Sequence, residues 1–203
     1  MSSLNQLISE IAHSVQQADS VPVRRAIRQA IIHARNELIR HSYSNHNYTD
    51  KVLKQKYNVT LIKGDSDGIL VSENDIPKPV RFTNNLPFHS VIAHGEDNEL
   101  VIPFVSEGAA KYYKYLPGMC KGISYDYING KIHVYNLPDN INTITVESVF
   151  EYPHEVAEDY TNDNDEFFLP EDLVNAVKKL TLETFNVQIV RDTNEIPNPN
   201  LLK

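Results

Sequence analysis

The side chains in this sequence that could do chemistry are few and scattered. His41 and His46 stand five residues apart, as do His89 and His94. Imidazole suits zinc, but a zinc site needs three or four converging ligands. Neither pair has a third ligand at fitting spacing. Asp65, Ser66, Asp67 and Gly68 open like a calcium loop, yet the later oxygen ligands and the closing glutamate are missing. A plain turn is the better reading. Residues 162–166, Asn-Asp-Asn-Asp-Glu, could hold a hard cation through oxygen, although a solvated acidic loop explains them more simply. Cys120 precedes Lys121, a neighbour that favours thiolate, but no histidine adjoins it and a small buried thiol is the preferred reading. No glycine-rich phosphate cradle, nucleophile elbow or H-E-x-x-H helix occurs. The residues therefore predict no catalytic group, no metal and no cofactor.

Two further groups are better suited to binding. Tyr112, Tyr113 and Tyr115 alternate with Lys111 and Lys114. Aromatics among cations can stack single-stranded nucleic acid, but only two lysines contribute. Tyrosine is also enriched at protein interfaces, and that use ranks first, ahead of plain packing and then nucleic acid. Arg24, Arg28 and Arg35 fall within roughly 40° of one another on a helical wheel. Beside an apolar stripe they read as a solvated flank. A sharper reading makes them an edge that pairs with an acidic neighbouring subunit.

These groups must be carried by recognisable elements. Leu4, Leu7, Ile8, Ile11 and Val15 predict a helix over residues 4–17. Residues 18–21 break it, and Ser20 with Pro22 starts a second helix to about Tyr43, with Ile27, Ala30, Ile31, Ala34 and Leu38 on one face. Residues 57–152 read as mostly β. The segments NVTLIK and GILVS flank a turn. Pro77, Pro79 and Pro87 mark a connection, and Pro103 points to an edge strand or bulge. Asn129-Gly130 between alternating segments predicts a two-residue hairpin that brings Tyr125, Tyr127, Ile132, Val134 and Leu137 into cross-strand contact. Ile144, Val146, Ser148 and Phe150 alternate as a half-buried strand, expected to close the β lobe. Pro170, Glu171 and Asp172 then start a helix with Leu173, Val174, Val177, Leu180 and Phe185 on one face. Beyond Phe185 little periodicity remains.

The expected fold class is α+β, with N- and C-terminal helices packed as a small bundle and with a β-rich central lobe. The expected organisation is an N-terminal helical segment over 1–56, the β lobe over 57–152, an acidic loop and completing helix over 153–186, and an extended tail over 187–203. Of the 203 residues, 41% are hydrophobic and 23% charged, a globular balance. No apolar run reaches the roughly 20 residues of a membrane span. The amphipathic, acid-bearing N-terminus is not read as a signal peptide. A single cysteine excludes an internal disulfide. The formal net charge of −8 argues against a nucleic-acid coat, whose affinity comes from neutralising phosphates. It is compatible with a passage through which nucleic acid slides.

The order of VRRAIRQAIIHARNELIR, the β-rich insertion, ITVESVFEYP and FFLPEDLVNAVKKLTLETF resembles the head–tail adaptor or ring proteins of tailed phages, most of all those of crAss-like, podovirus-type phages. The resemblance spans residues 21–185. Its most specific parts are the arginine-rich helix ending at Asn36-Glu37-Leu38-Ile39-Arg40 and the helix start at Phe168-Leu169-Pro170-Glu171-Asp172-Leu173. It implies a non-enzymatic virion component of the tail, made in the host bacterial cytoplasm. Such a protein would form a dodecameric ring beneath the portal protein, extend the DNA channel without binding DNA specifically, and contact other tail ring or tube proteins. On that reading, Arg24, Arg28 and Arg35 meet Glu158, Asp163, Asp165 and Glu166 of a neighbouring subunit. Ile196, Pro197, Pro199, Leu201 and Leu202 dock on the portal, and Tyr112, Tyr113 and Tyr115 touch the next ring or the neighbour. The alternatives are a small nucleic-acid-binding module, with Arg24, Arg28, Lys111 and Lys114 on one patch, and a hydrolase or metal enzyme built on His89, His94 or Cys120.

Overall fold

The computed structural model describes residues 3–46, 49–64, 68–82, 86–95, 99–106, 109, 122–138, 140–156 and 162–194. The chain forms two compact units, one made of Met1–His41 with Tyr160–Lys203 and the other of Ser42–Asp159. The fold is α+β, with terminal helices and a β-rich centre. Among the described residues, no helix is long and apolar enough to cross a membrane.

The first unit is helical. Helix α1 (Leu4–Ser14) starts where Ser3 Oγ accepts from the Gln6 backbone N–H at 3.2 Å, a side-chain cap that satisfies an otherwise orphaned donor. It buries Leu4, Leu7, Ile8 and Ile11. The spacing carries the amphipathic pattern to Val15, but the helix stops at Ser14. Gln16 turns left-handed at φ 59°, and the N–H groups of Gln16 and Gln17 reach back to the carbonyls of His13 and Ala12. That pair of backward bonds is a Schellman closure, here without the usual glycine. Helix α2 (Val21–His46) begins as the Arg24 N–H bonds to the Ser20 carbonyl at 2.9 Å, with Pro22 in the first turn, where a missing N–H is harmless.

Helix α3 (Glu171–Asn194) follows Pro170 with Glu171 and Asp172 in its first turn, where carboxylates oppose the positive end of the helix. It buries Val174, Val177 and Phe185, and also Thr181, whose hydroxyl donates to the Val177 carbonyl at 2.8 Å. The expected extended tail from residue 187 is corrected in part, since α3 runs on to Asn194. Extending a formed helix adds one hydrogen bond per residue fixed, so a weakly periodic segment can continue what a strong one nucleated. Ile27, Ile31 and Ala34 of α2, Phe167 and Leu169 of the preceding loop, and the buried faces of α1 and α3 make one apolar cluster.

The second unit is a curled antiparallel sheet. Its strands are β1 (Gln55–Lys63), β2 (Ile69–Ser72), β3 (Ser90–His94), β4 (Glu99–Val101), β5 (Ser124–Ile128), β6 (Lys131–Tyr135) and β7 (Thr143–Ser148), ordered β4-β3-β7-β1-β2-β6-β5. The hairpin β5–β6 turns through Asn129 (φ 52°) and Gly130 (φ 85°), placing Tyr125 opposite Val134 and Tyr127 opposite Ile132 as the spacing predicts. The β1–β2 hairpin is also formed, with Leu61 opposite Ser72. Strand β4 lies at an edge, in agreement with Pro103 just beyond it. Phe104 then bridges in parallel to Tyr125 of β5, with the Tyr125 N–H on the Pro103 carbonyl and the Val105 N–H on the Tyr125 carbonyl. This bridge draws the two ends of the sheet together, which shields part of an edge that would otherwise invite pairing.

Strand β7 does not close the lobe. It sits inside the sheet, between β3 and β1, and buries Ile144 and Val146. Residues 78–80 of the proline-rich connection pair with its continuation, where Pro79 bridges to Phe150. The Val80 N–H bonds to the Val149 carbonyl and the Glu151 N–H to the Lys78 carbonyl, both at 2.8 Å.

Candidate assembly surface

Helix α2 carries the three arginines along the helical unit, and each is engaged within its own chain. Arg24 donates from Nη2 to Asn5 Oδ1 and Ser9 Oγ, both at 3.0 Å, and from Nη1 to the Ala18 carbonyl at 3.3 Å. It therefore ties the start of α2 to α1 and to the turn between them. Arg28 Nη2 pairs with Asp163 Oδ1 at 3.0 Å. After pairing, the Arg28 and Asp163 side chains remain 31% and 35% exposed.

Arg35 is a different case, and its expected place at a subunit edge is corrected. It is fully buried, donating from Nε to the Phe168 carbonyl at 2.8 Å and from Nη1 to Asn36 Oδ1 at 2.9 Å, with its guanidinium 5.8 Å from the Phe167 ring centroid. Burial pushes this guanidinium down to about 9, so it stays charged at neutral pH. On the helical wheel, Arg35 lies between Ile31 and Ile39, roughly 40° from each, and both isoleucines are buried. That proximity was the available signal for its burial.

The acidic loop is fastened to the N-terminus of α1. Asp163 accepts the Asn5 backbone N–H at 2.8 Å, Asn164 Oδ1 accepts from Asn5 Nδ2 at 2.8 Å, and Glu166 forms a β-bridge with Ser3. Asp165 Oδ2 accepts the Asn162 N–H at 2.9 Å, which folds the loop on itself. Glu166 is exposed. Glu10 of α1 pairs with Lys178 of α3, and the Lys178 hydrogen bond holds the Glu10 carboxyl below the usual carboxylate range. Partners this far apart in sequence leave no local signal, so sequence reasoning missed this pair. Glu158, Cys120, Lys111, Lys114, Tyr112, Tyr113, Tyr115, Ile196, Pro197, Pro199, Leu201 and Leu202 lie outside the described residues.

A cleft of about 380 Å³ opens in the helical unit, lined by Asn5, Ile8, Val21, Arg24, Arg25, Arg28 and Asp163. Sequence reasoning passed over Arg25 because it lies off the line of the other three. In the β unit, His94 Nε2 is 2.7 Å from Thr145 Oγ1, and His89 Nε2 is 2.6 Å from Lys54 Nζ. Among the described residues, no three His, Cys, Asp or Glu side chains gather closely enough to hold a metal ion.

What this arrangement does chemically is pair and hold charge: arginines pin a loop and a helix, and one cationic cleft stays open. A helical unit and a curled sheet, with charge concentrated on one helix, define an α+β protein whose polar groups serve packing and contact. A family model described as phage tail ring protein 2 matches residues 6–200, and the chain belongs to this family, CrAss_Ring_2. It is a crAss-like phage tail ring protein, a structural component of the virion tail. No curated protein matches the chain.

Proposed function

We propose that the chain forms a closed homo-oligomeric ring, dodecameric, that docks beneath the portal protein, extends the DNA channel and presents a platform to the next tail ring or tube protein. The observation that carries this reading is the match to a tail ring family over residues 6–200. A ring requires one face of each subunit to meet a different face of the next. In this reading the seam lies between the arginine cleft at the start of α2 and the acidic groups Glu158, Asp165 and Glu166 of the neighbour, Asp163 remaining paired with Arg28 in its own chain. The partial exposure that Arg28 and Asp163 keep after pairing supports that position. Arg35, being buried, takes no part.

The formal net charge of −8 supports passage of DNA without specific binding, since phosphates are not neutralised by an acidic wall. Tyr112, Tyr113 and Tyr115 contact the next ring or the neighbouring subunit. The protein is made in the host cytoplasm and acts without catalysis. Ile196, Pro197, Pro199, Leu201 and Leu202 dock on the portal. Deleting residues 195–203 is expected to abolish capture of the portal protein in a pull-down while leaving the helical content unchanged. Undiminished capture by the truncated chain would exclude the tail as the docking element.

A further inference from the structure

The start of α2 carries a charge excess that the folded chain does not balance. A helix N-terminus holds roughly half a positive charge, which acidic residues in the first turn ordinarily offset. The first turn of α2 has none, and Arg24, Arg25 and Arg28 follow. All three arginines line the cleft, where Asp163 is the only carboxylate among the lining residues. The side chain of Arg24 and one nitrogen of Arg28 are already engaged with Asn5, Ser9, Ala18 and Asp163. Arg28 Nε is buried without a hydrogen-bond acceptor among the described residues. Arg25 is exposed, and among the described residues it makes no ion pair. Beside it Val21 is 67% exposed, an apolar residue at the rim of a charged site.

We propose that this cleft receives a carboxylate from a second copy of the chain, with Arg25 as the docking cation and Val21 as the apolar seat beside it. The proposal rests on the ring reading and names the residues that meet the neighbour. Charge decides the occupant. The chain has 27 acidic residues against 19 basic ones, so two copies repel unless a locally cationic site faces acidic surface. Such a site favours one orientation of encounter and disfavours the others, which a head-to-tail ring needs. Arg24 and Arg28 hold the cleft in shape, and Arg25 is left to make the contact.

The test uses the full chain and reads its oligomeric mass by mass photometry at low and high salt. Arg25→Glu is expected to weaken self-association by roughly tenfold or more, as loss and reversal of an interface charge does. Arg25→Lys should retain most of it. Because Arg25 is exposed, the thermal midpoint and far-ultraviolet circular dichroism of the variants should match those of the parent. Assembly of Arg25→Glu at parental concentrations would overturn the inference and leave the ring reading standing. Salt-sensitive retention of the parent chain on DNA, lost in Arg25→Glu with self-association intact, would overturn it in favour of a phosphate site. A parent chain that remains monomeric both alone and with the portal protein would contradict the ring reading, and this inference would fall with it.

Discussion

At the scale of single residues, Arg35 shows how a charge can organise the inside of a helical unit. Its guanidinium is fully buried, and burial pushes it down to about 9 without neutralising it near pH 7. The fork is directed at two acceptors, the Phe168 carbonyl and Asn36 Oδ1, so the cation fixes the segment that precedes α3. Arg35→Ala would leave both acceptors without these donors and open a cavity. The expected loss is on the order of 3 kcal/mol, measured by urea denaturation. Arg35→Lys should recover only part of it, because an ammonium cannot present the planar fork. A loss well under about 1 kcal/mol in Arg35→Ala would place Arg35 outside the machinery that holds the unit together. Arg24 and Arg28 act at the surface of the same unit, and their bonds to Asn5, Ser9 and Asp163 trade against water.

At the scale of elements, the β5–β6 hairpin is the most local structure in the chain. Gly130 sits at φ 85°, and a Cβ placed there would approach Asp75 no closer than 3.7 Å. Space is therefore available, and the strain of Gly130→Ala comes from the backbone alone. That substitution is expected to cost about 1 kcal/mol in denaturant melts, and an unchanged midpoint would contradict the positive-φ turn. This hairpin was legible in the sequence because its turn residues and its alternation lie within a dozen positions. The apolar faces of α1 and α3 were legible for the same reason. The end of α1 was not, since Gln16 adopts the left-handed conformation without the glycine that would announce it.

Nor was the position of β7, whose neighbours β1 and β3 are chosen by contacts far along the chain. The alternation of Ile144 and Val146 identifies a strand with a buried face and says nothing about which strands flank it. The Phe104–Tyr125 bridge is hidden for the same reason. At the candidate site, the arginine stripe was visible and its direction was not. Arg28 found Asp163 in its own chain, Arg35 went inside, and Arg25 remained at the cleft.

At the scale of the whole molecule, the strand and the helix that flank the acidic loop belong to different units, β7 to the sheet and α3 to the helical unit. The loop residues 162–166 are therefore part of the helical unit's own architecture, fastened to Asn5 and Ser3. Family membership makes the chain a phage tail ring protein, and on the proposed ring reading the open, cationic cleft on an acidic chain gives copies a physical reason to meet in one orientation. The proposed function requires that the chain close into a ring on the portal axis. Electron microscopy of the purified full chain, co-assembled with its portal protein, tests this most directly. The expected particle is a closed, dodecameric ring coaxial with the portal and enclosing an open channel. Isolated subunits, or subunits bound to the portal without contact between copies, would contradict it.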